Sequence, residues 1–300
     1  MDANCTMPPS PYVLFILIIS CQERVISLNK YKYVLIEVPN YSSIFQKHIK
    51  NNECTGTYFK VEGKDHFICF ALKSGSTSWQ VFFAENQIKT AYIADCAKNS
   101  TCPKFPEVRI LQVRHPFERL LSTYRHLFKN GGWKSLELNK DEKEIEDTLT
   151  LMFSKTWQEF IDDVIIKNQL FISEENLNDL NHPGTWLKTH WAPFWQTCGV
   201  CDFGSDLEPG FILKTETLEW DVPEVLSALG MKRDILFPDI RVTGNDDNFS
   251  EGNRVSTEFV GKYFSQLTKR QILELYEIYK TDFIMFDYSP DQYFELARNK

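Results

Sequence analysis

The chain of 300 residues has no internal repeat, no low-complexity tract and no excess of basic residues. Its length suits one large domain or two small ones. With 33 Lys and Arg against 41 Asp and Glu, the formal charge is −8. That argues against a general nucleic-acid binder, while leaving room for a local basic patch. It also lacks a long apolar run. The uncharged stretch Pro11–Ser20, PYVLFILIIS, falls short of the ~20 residues a membrane span needs. It fits the core of a secretory signal peptide or a truncated signal anchor, although no Lys or Arg precedes it; a buried N-terminal strand is the other reading. A zinc site is not indicated: Cys198 and Cys201 form a half-site, but no second pair and no His-x-x-x-His partner accompanies them. Nor is there a Walker A loop, which requires G-x-x-x-x-G-K-[ST].

What is present begins with an apolar content of 43%, ample for a core. Phe67–Phe83, FICFALKSGSTSWQVFF, organises the rest. Phe67–Leu72 reads as a buried strand. Lys73–Ser78, KSGSTS, is a small-residue loop carrying one cation. From Trp79 the apolar spacing turns helical, with Trp79, Phe82 and Phe83 at i, i+3 and i+4. Strand, phosphate-sized loop and helix aim backbone N–H groups and a helix dipole at an anion. Gly75 permits close approach, and Ser74, Ser76, Thr77 and Ser78 add hydroxyl donors. An ordinary Ser/Gly turn is the plainer alternative.

Glu107–Phe128, EVRILQVRHPFERLLSTYRHLF, repeats the design. Val108–Val113 reads as a buried strand. Phe117, Leu120, Leu121, Tyr124, Leu127 and Phe128 make one helical stripe, and Pro116 stands where a helix start tolerates it. Arg114 falls in the turn, and Ser122 lies off the stripe. Residues Lys104–Lys134 hold seven Lys/Arg against two Glu, a local +5. This is either a solvated helix face or an anion site using the bidentate fork of Arg.

Elsewhere, Tyr31–Val38 reads as a strand and Gln46–Lys60 as a polar connector. Asp95–Pro106 reads as a surface excursion, Lys140–Asp147 as a charged surface run, and Ser173–Pro183 as a loop. Thr156–Glu159 looks like a capping box opening a helix with Trp157, Phe160, Ile161, Val164 and Ile165 inward. Val222–Leu229 reads as a short helix stopped by Gly230, Arg241–Arg254 as a loop of lid length, and the segment from Tyr263 to Phe283 as helical. Two strand–loop–helix units predict an α/β fold with a mostly parallel sheet flanked by helices, ligand lying beyond the carboxyl ends of the strands.

These stretches resemble Golgi carbohydrate sulfotransferases. The order Lys, Gly, Ser-Thr, Trp is similar to their 5′-phosphosulfate loop, with Leu72 where a Pro is usual. Val113–Arg125, VRHPFERLLSTYR, is similar to their 3′-phosphate motif, with His115 replacing the usual Asp. His190-Trp-Ala-Pro193 before Cys198 and Cys201, then Lys214–Leu218, KTETL, follow in the family's order, and the closing helical pattern is similar too. The resemblance runs from about Phe67 to Tyr288 and is nearest in pattern to chondroitin and dermatan 4-O-sulfotransferases.

The resemblance implies a P-loop-like fold with a helical C-terminal part. It implies 3′-phosphoadenosine 5′-phosphosulfate (PAPS) as sulfuryl donor, no metal, and a glycan acceptor, in the nearest relatives a glycosaminoglycan chain. The donor's 5′ end would lie on Lys73, Ser74, Gly75, Ser76, Thr77 and Ser78, its 3′-phosphate on Arg114 and Ser122. Lys73 would stabilise the leaving oxygen. For the general base, His190 is the expectation, with Trp191 beside it as a ring able to pack on a sugar; Asp95 and Glu85 are the alternatives. His115 and His126 flank the 3′-phosphate unit, where a base is expected to stand too far from sulfur. A P-loop kinase shares the fold but not the loop; a non-catalytic nucleotide-binding relative shares the motifs.

Three glycosylation acceptors at Asn40, Asn99 and Asn248 all follow the apolar run. With the close pairs Cys96/Cys102 and Cys198/Cys201, they predict a secretory, disulfide-compatible environment, the Golgi by resemblance. Residues 1–30 are expected to be signal peptide or signal anchor and stem, with possible membrane association, and residues 31–300 one sulfotransferase domain.

Overall fold

Alternating and fully apolar short runs build a five-stranded sheet on which the helices rest. The structure, a computed structural model, describes residues 15–20, 24–29, 32–36, 56–61, 63–70, 72–92, 108–135, 150–167, 187–194, 211–231 and 257–299. The strands near the N-terminus, β1 (Phe15–Ser20), β2 (Arg24–Asn29) and β3 (Lys32–Ile36), form a separate antiparallel sheet in that order. Part of the Pro11–Ser20 run is thus strand, and β3 falls within the strand expected at Tyr31–Val38. Among the described residues no helix is long and apolar enough to cross a membrane.

The main sheet contains β4 (Gly56–Val61), β5 (Lys64–Phe70), β6 (Thr90–Tyr92), β7 (Val108–Val113) and β8 (Phe211–Lys214), in the order β6-β4-β5-β7-β8. β5, β7 and β8 are mutually parallel, with Ile68 opposite Ile110 and Gln112 opposite Leu213. β4 runs antiparallel to both its neighbours. The mostly parallel α/β sheet is therefore as expected. The reading of Gln46–Lys60 as a connector fails at its end, because Gly56–Lys60 belongs to β4. The stretch looks polar, yet Phe59 and Val61, two apart, share one buried face.

The helices are α1 (Ser76–Glu85), α2 (Pro116–Tyr124), α3 (Trp157–Glu159, continued by a π-helical Phe160–Ile166), α4 (Leu218–Ala228), α5 (Thr257–Phe264), α6 (Lys269–Met285) and α7 (Asp291–Leu296). On one face of the sheet, Phe59, Ile68, Ile110 and Leu213 bury Trp79, Phe82 and Phe83 of α1 with Val222, Val225 and Leu226 of α4. Each large side chain so buried contributes on the order of 2–3 kcal/mol. Leu111 and Val113, facing the other way, are buried too. A second core joins Phe117, Leu120 and Leu121 of α2 to α3, α5, α6 and α7.

Local signals set several ends. The capping box at α3 is present: the Glu159 N–H donates to Thr156 Oγ1 and the Thr156 N–H to Glu159 Oε2. Thr268 and Gln271 build another at α6. Gly230, with φ 77°, follows α4. α4 starts at Leu218, earlier than its apolar pattern shows, and α1 starts at Ser76, so Ser76, Thr77 and Ser78 form its first turn. Asp95–Pro106, Lys140–Asp147, Ser173–Pro183, Arg241–Arg254, the three glycosylation acceptors and both close cysteine pairs lie outside the described residues. Cys69, fully buried in β5, is disulfide-bonded.

Candidate active site

The carboxyl ends of β5, β7 and β8 meet. After β5 the backbone turns through two left-handed residues, Lys73 (φ 70°) and Gly75 (φ 98°). Such a conformation costs a non-glycine residue energy and clusters at functional sites. Gly75 also admits a neighbour that no other residue would: a Cβ there would stand 2.4 Å from Gln112 Nε2. That amide donates to the Ser74 carbonyl at 2.5 Å, while Gln112 Oε1 accepts from Trp79 Nε1. Thr215, just past β8, places its hydroxyl 3.1 Å from the Ser74 carbonyl and 2.9 Å from that of Val113. The loop is thereby tied to all three strand ends.

Its other groups are left for a ligand. α1 has no side-chain cap and no acidic residue in its first turn, so its positive end is uncompensated. The Ser74 hydroxyl is buried with no hydrogen-bond partner among the described residues. Among the described residues Lys73 makes no ion pair, and burial, then the charge of Arg114, lower its pKa to about 8. It is still mostly ammonium at neutral pH. Buried positive charge without a carboxylate partner is a site prepared for an anion.

Arg114 follows β7. Its Nη1 donates to the Lys73 carbonyl at 3.3 Å, its Nη2 lies 3.7 Å from Glu118, and its buried Nε has no partner among the described residues. The expected 5′ and 3′ elements are thus physically joined. His115 Nδ1 accepts from the Phe117 N–H at 3.3 Å and caps α2, while Nε2 lies 3.1 Å from the Ser289 carbonyl. The ring is therefore a neutral Nε2–H tautomer, and burial holds its pKa near 4. An Asp could provide the cap but not the donor to Ser289. Glu216 of the KTETL segment accepts from the His115 N–H at 2.7 Å and from the Tyr288 hydroxyl at 2.9 Å. Ser122 is half-buried on α2, about 12 Å along the axis from Arg114; no hydrogen bond joins it to Arg114 or Lys73.

The segment 187–194 docks beside this site. Its carbonyls at His190, Trp191 and Ala192 accept from Thr123, Tyr279 and Arg119, and the Phe194 N–H donates to Asp282. Trp191 is only 4% exposed and packs edge-on to Phe160. It is core, and the expectation of a sugar platform is corrected. His190 is also buried, at 3% exposure, and its ring lies nearly parallel to that of His126 with centroids 6.4 Å apart.

His126 is half-buried, and its pKa falls to about 4 through burial and the nearby charge of Lys73. Glu85 ends α1, about 14 Å along the axis from Ser76, and is exposed. Asp95 lies outside the described residues. Gln112, Thr215, Glu216, Arg119 and Thr123 act as positioning groups that the sequence does not mark as such. A lone amide in an apolar strand was the one available signal, at Gln112.

The model for the sulfotransferase family matches residues 57–289. Carbohydrate sulfotransferase 11 of Mus musculus is 28% identical over 267 residues, spanning 79% of this chain and 68% of that protein. Carbohydrate sulfotransferase 8 of Homo sapiens is 26% identical over 188 residues, spanning 60% and 39%. Carbohydrate sulfotransferase 10 of Gallus gallus is 28% identical over 256 residues, spanning 73% and 63%. No solved structure matches.

Proposed function

The chain belongs to the sulfotransferase family, and from that premise we propose that it transfers a sulfuryl group from PAPS to a hydroxyl of a glycosaminoglycan, of the chondroitin 4-O type. The carbohydrate sulfotransferases it is similar to support a sugar acceptor. The 4-O choice rests on the motif pattern.

The observation that carries the reading is the convergence of three strand ends on an uncapped helix start with Lys73 and Arg114 joined beside it. The residues fit the donor. Its 5′-phosphosulfate would meet N–H groups of the Gly75–Thr77 segment, Ser78 N–H being held by the Gly75 carbonyl, and the unpartnered Ser74 hydroxyl, and Arg114 has a free Nε for the 3′-phosphate. Ser122 is assigned to that phosphate by motif. PAPS supplies the sulfuryl group and a phosphate leaving group. Lys73, fixed at the head of the loop, meets the negative charge that grows on the leaving oxygen, which favours the transition state over the ground state. His190 remains in the proposal on the acceptor side, held in place through its carbonyl by Thr123.

We assign the enzyme to the secretory pathway, in the Golgi. The buried disulfide at Cys69 supports an oxidising lumen, as do the glycosylation acceptors. The test is transfer from radiolabelled PAPS to desulfated chondroitin and to a panel of other desulfated glycans. Label in the 4-O position of chondroitin is expected. Label only in another glycan overturns the acceptor assignment, ATP-dependent phosphorylation overturns the reaction, and donor binding without turnover overturns the enzyme reading.

A further inference from the structure

We propose that Gln112, assisted by Thr215, is the positioning residue that sets the Ser74–Gly75 peptide, so that the Gly75 N–H faces the 5′-phosphosulfate of the donor. This deepens the donor reading above and rests on it. Gln112 is fully buried in the middle one of three parallel strands, opposite Leu213 of β8. A buried amide is costly unless its hydrogen bonds are made. Here both ends are engaged, and chemistry fixes which way round. The indole Nε1–H of Trp79 can only donate, so the amide oxygen must face Trp79. The amide NH₂ then faces the Ser74 carbonyl, 2.5 Å away. Thr215 shares its one hydroxyl hydrogen between the same carbonyl and that of Val113.

The consequence follows from peptide geometry. In a planar trans peptide, a carbonyl and the next N–H point in opposite directions. With the Ser74 carbonyl drawn toward Gln112 and Thr215, the Gly75 N–H points away from both. Gly75 is left-handed, at φ 98° and ψ 17°, and Ser76 opens α1. A left-handed residue followed by a right-handed one makes successive N–H groups converge on an anion. The converging groups are the N–H of Gly75, Ser76 and Thr77, which have no hydrogen-bond partner among the described residues. The Ser78 N–H is held by the Gly75 carbonyl at 3.1 Å.

A glycine peptide needs such a lock. Gly75 adopts either sign of φ at little cost, so nothing in its own backbone prevents the Ser74–Gly75 peptide from flipping. The flipped form would turn a carbonyl oxygen toward the negative phosphosulfate and withdraw one N–H from it. Gln112 opposes the flip from behind the loop: a Cβ at Gly75 would stand 2.4 Å from its Nε2, so the loop rests directly on this amide. The same amide, through Trp79, ties the loop to α1, and the turn and the helix start keep one spacing. Gln112 is buried beneath the loop and acts on the donor through the peptide alone.

The test uses the full chain, with 3′-phosphoadenosine 5′-phosphate and adenosine 3′-phosphate as probes in calorimetry. The two differ only in the 5′-phosphate, so the ratio of their affinities reads the loop alone. Gln112→Met keeps the volume and lacks the N–H donor. It should weaken 3′-phosphoadenosine 5′-phosphate by about tenfold to a hundredfold, the range for losing a hydrogen bond to a charged group. Affinity for adenosine 3′-phosphate should stay within about twofold of wild type; a merely structural loss would weaken both alike. Thr215→Val, which serves if the methionine variant fails to fold, should narrow the ratio by about threefold to tenfold, because Gln112 still holds the carbonyl. Thr215→Ser, which keeps the hydroxyl, should restore it. A ratio within about twofold of wild type in Gln112→Met, or in Thr215→Val where that variant stands in for it, overturns the assignment, as does an equal loss for both nucleotides. A wild type that binds the two nucleotides equally, or transfers no label to any glycan, would instead overturn the donor reading on which it rests.

Discussion

Replacing Gly75 by Ala should damage the loop through one identifiable contact. Two costs add. The backbone at φ 98° lies in the left-handed region, where a Cβ costs roughly 1–2 kcal/mol. The new Cβ would also stand 2.4 Å from Gln112 Nε2, too close to persist. Gln112 is not a free end that can swing aside, because its amide holds the Ser74 carbonyl and Trp79 Nε1 together. Moving it breaks buried hydrogen bonds, each costing about 1–3 kcal/mol when a partner is left unmet. Thr215 still reaches the Ser74 carbonyl, which softens one of them. The sum is about 3–5 kcal/mol, a large share of a typical stability of about 5–15 kcal/mol. Urea unfolding, with nucleotide affinity measured in parallel, reads it. A double-mutant cycle isolates the contact: with Gln112→Gly already present, Gly75→Ala should cost only the backbone share, roughly 1–2 kcal/mol. An equal cost in both backgrounds would refute the reasoning.

Lys73→Ala should lower kcat by about 10²–10³-fold while much of the affinity for 3′-phosphoadenosine 5′-phosphate remains, as steady-state kinetics and calorimetry will show. Because the free Lys73 loses its proton near pH 8 and an anion prefers the charged form, affinity for that nucleotide should be flat below pH 8 and fall above it by up to about tenfold per pH unit; Lys73→Ala should lack this fall. Arg114→Ala and Ser122→Ala should raise the donor KM more than they lower kcat, since they are assigned to a phosphate that does not react; a change in kcat alone would remove the assignment. For His115, the unfolded chain takes up a proton near pH 6.5 that the folded ring refuses until about 4, so its contribution is intact above pH 6.5 and lost as pH falls toward 4. The loss is at most on the order of 3 kcal/mol, and pH-dependent unfolding of wild type against His115→Asp should separate it.

The sequence by itself determined β7, α2, the α3 capping box and the turn between β5 and α1, because each is written in local terms: an apolar run, a helical stripe, a Thr and a Glu three apart, a Gly among hydroxyls. β4 was hidden because the exposed Lys60 stands between the buried Phe59 and Val61, an alternation too short to mark a strand. What decided the site was the parallel pairing of β5, β7 and β8, which places Lys73, Arg114 and Thr215 together across up to 142 residues of chain. Lone residues carry no local trace of such a pairing. Gln112 looks like a flaw in a strand until Ser74 and Trp79 stand against it. Trp191 looks like a sugar platform until the second core closes over it. His126 and His190, far apart in the chain, become one stacked pair only because segment 187–194 docks on α2 and α6 through carbonyls and an amide that every residue possesses. Backbone groups have no sequence signature, so contacts built on them are settled by tertiary packing.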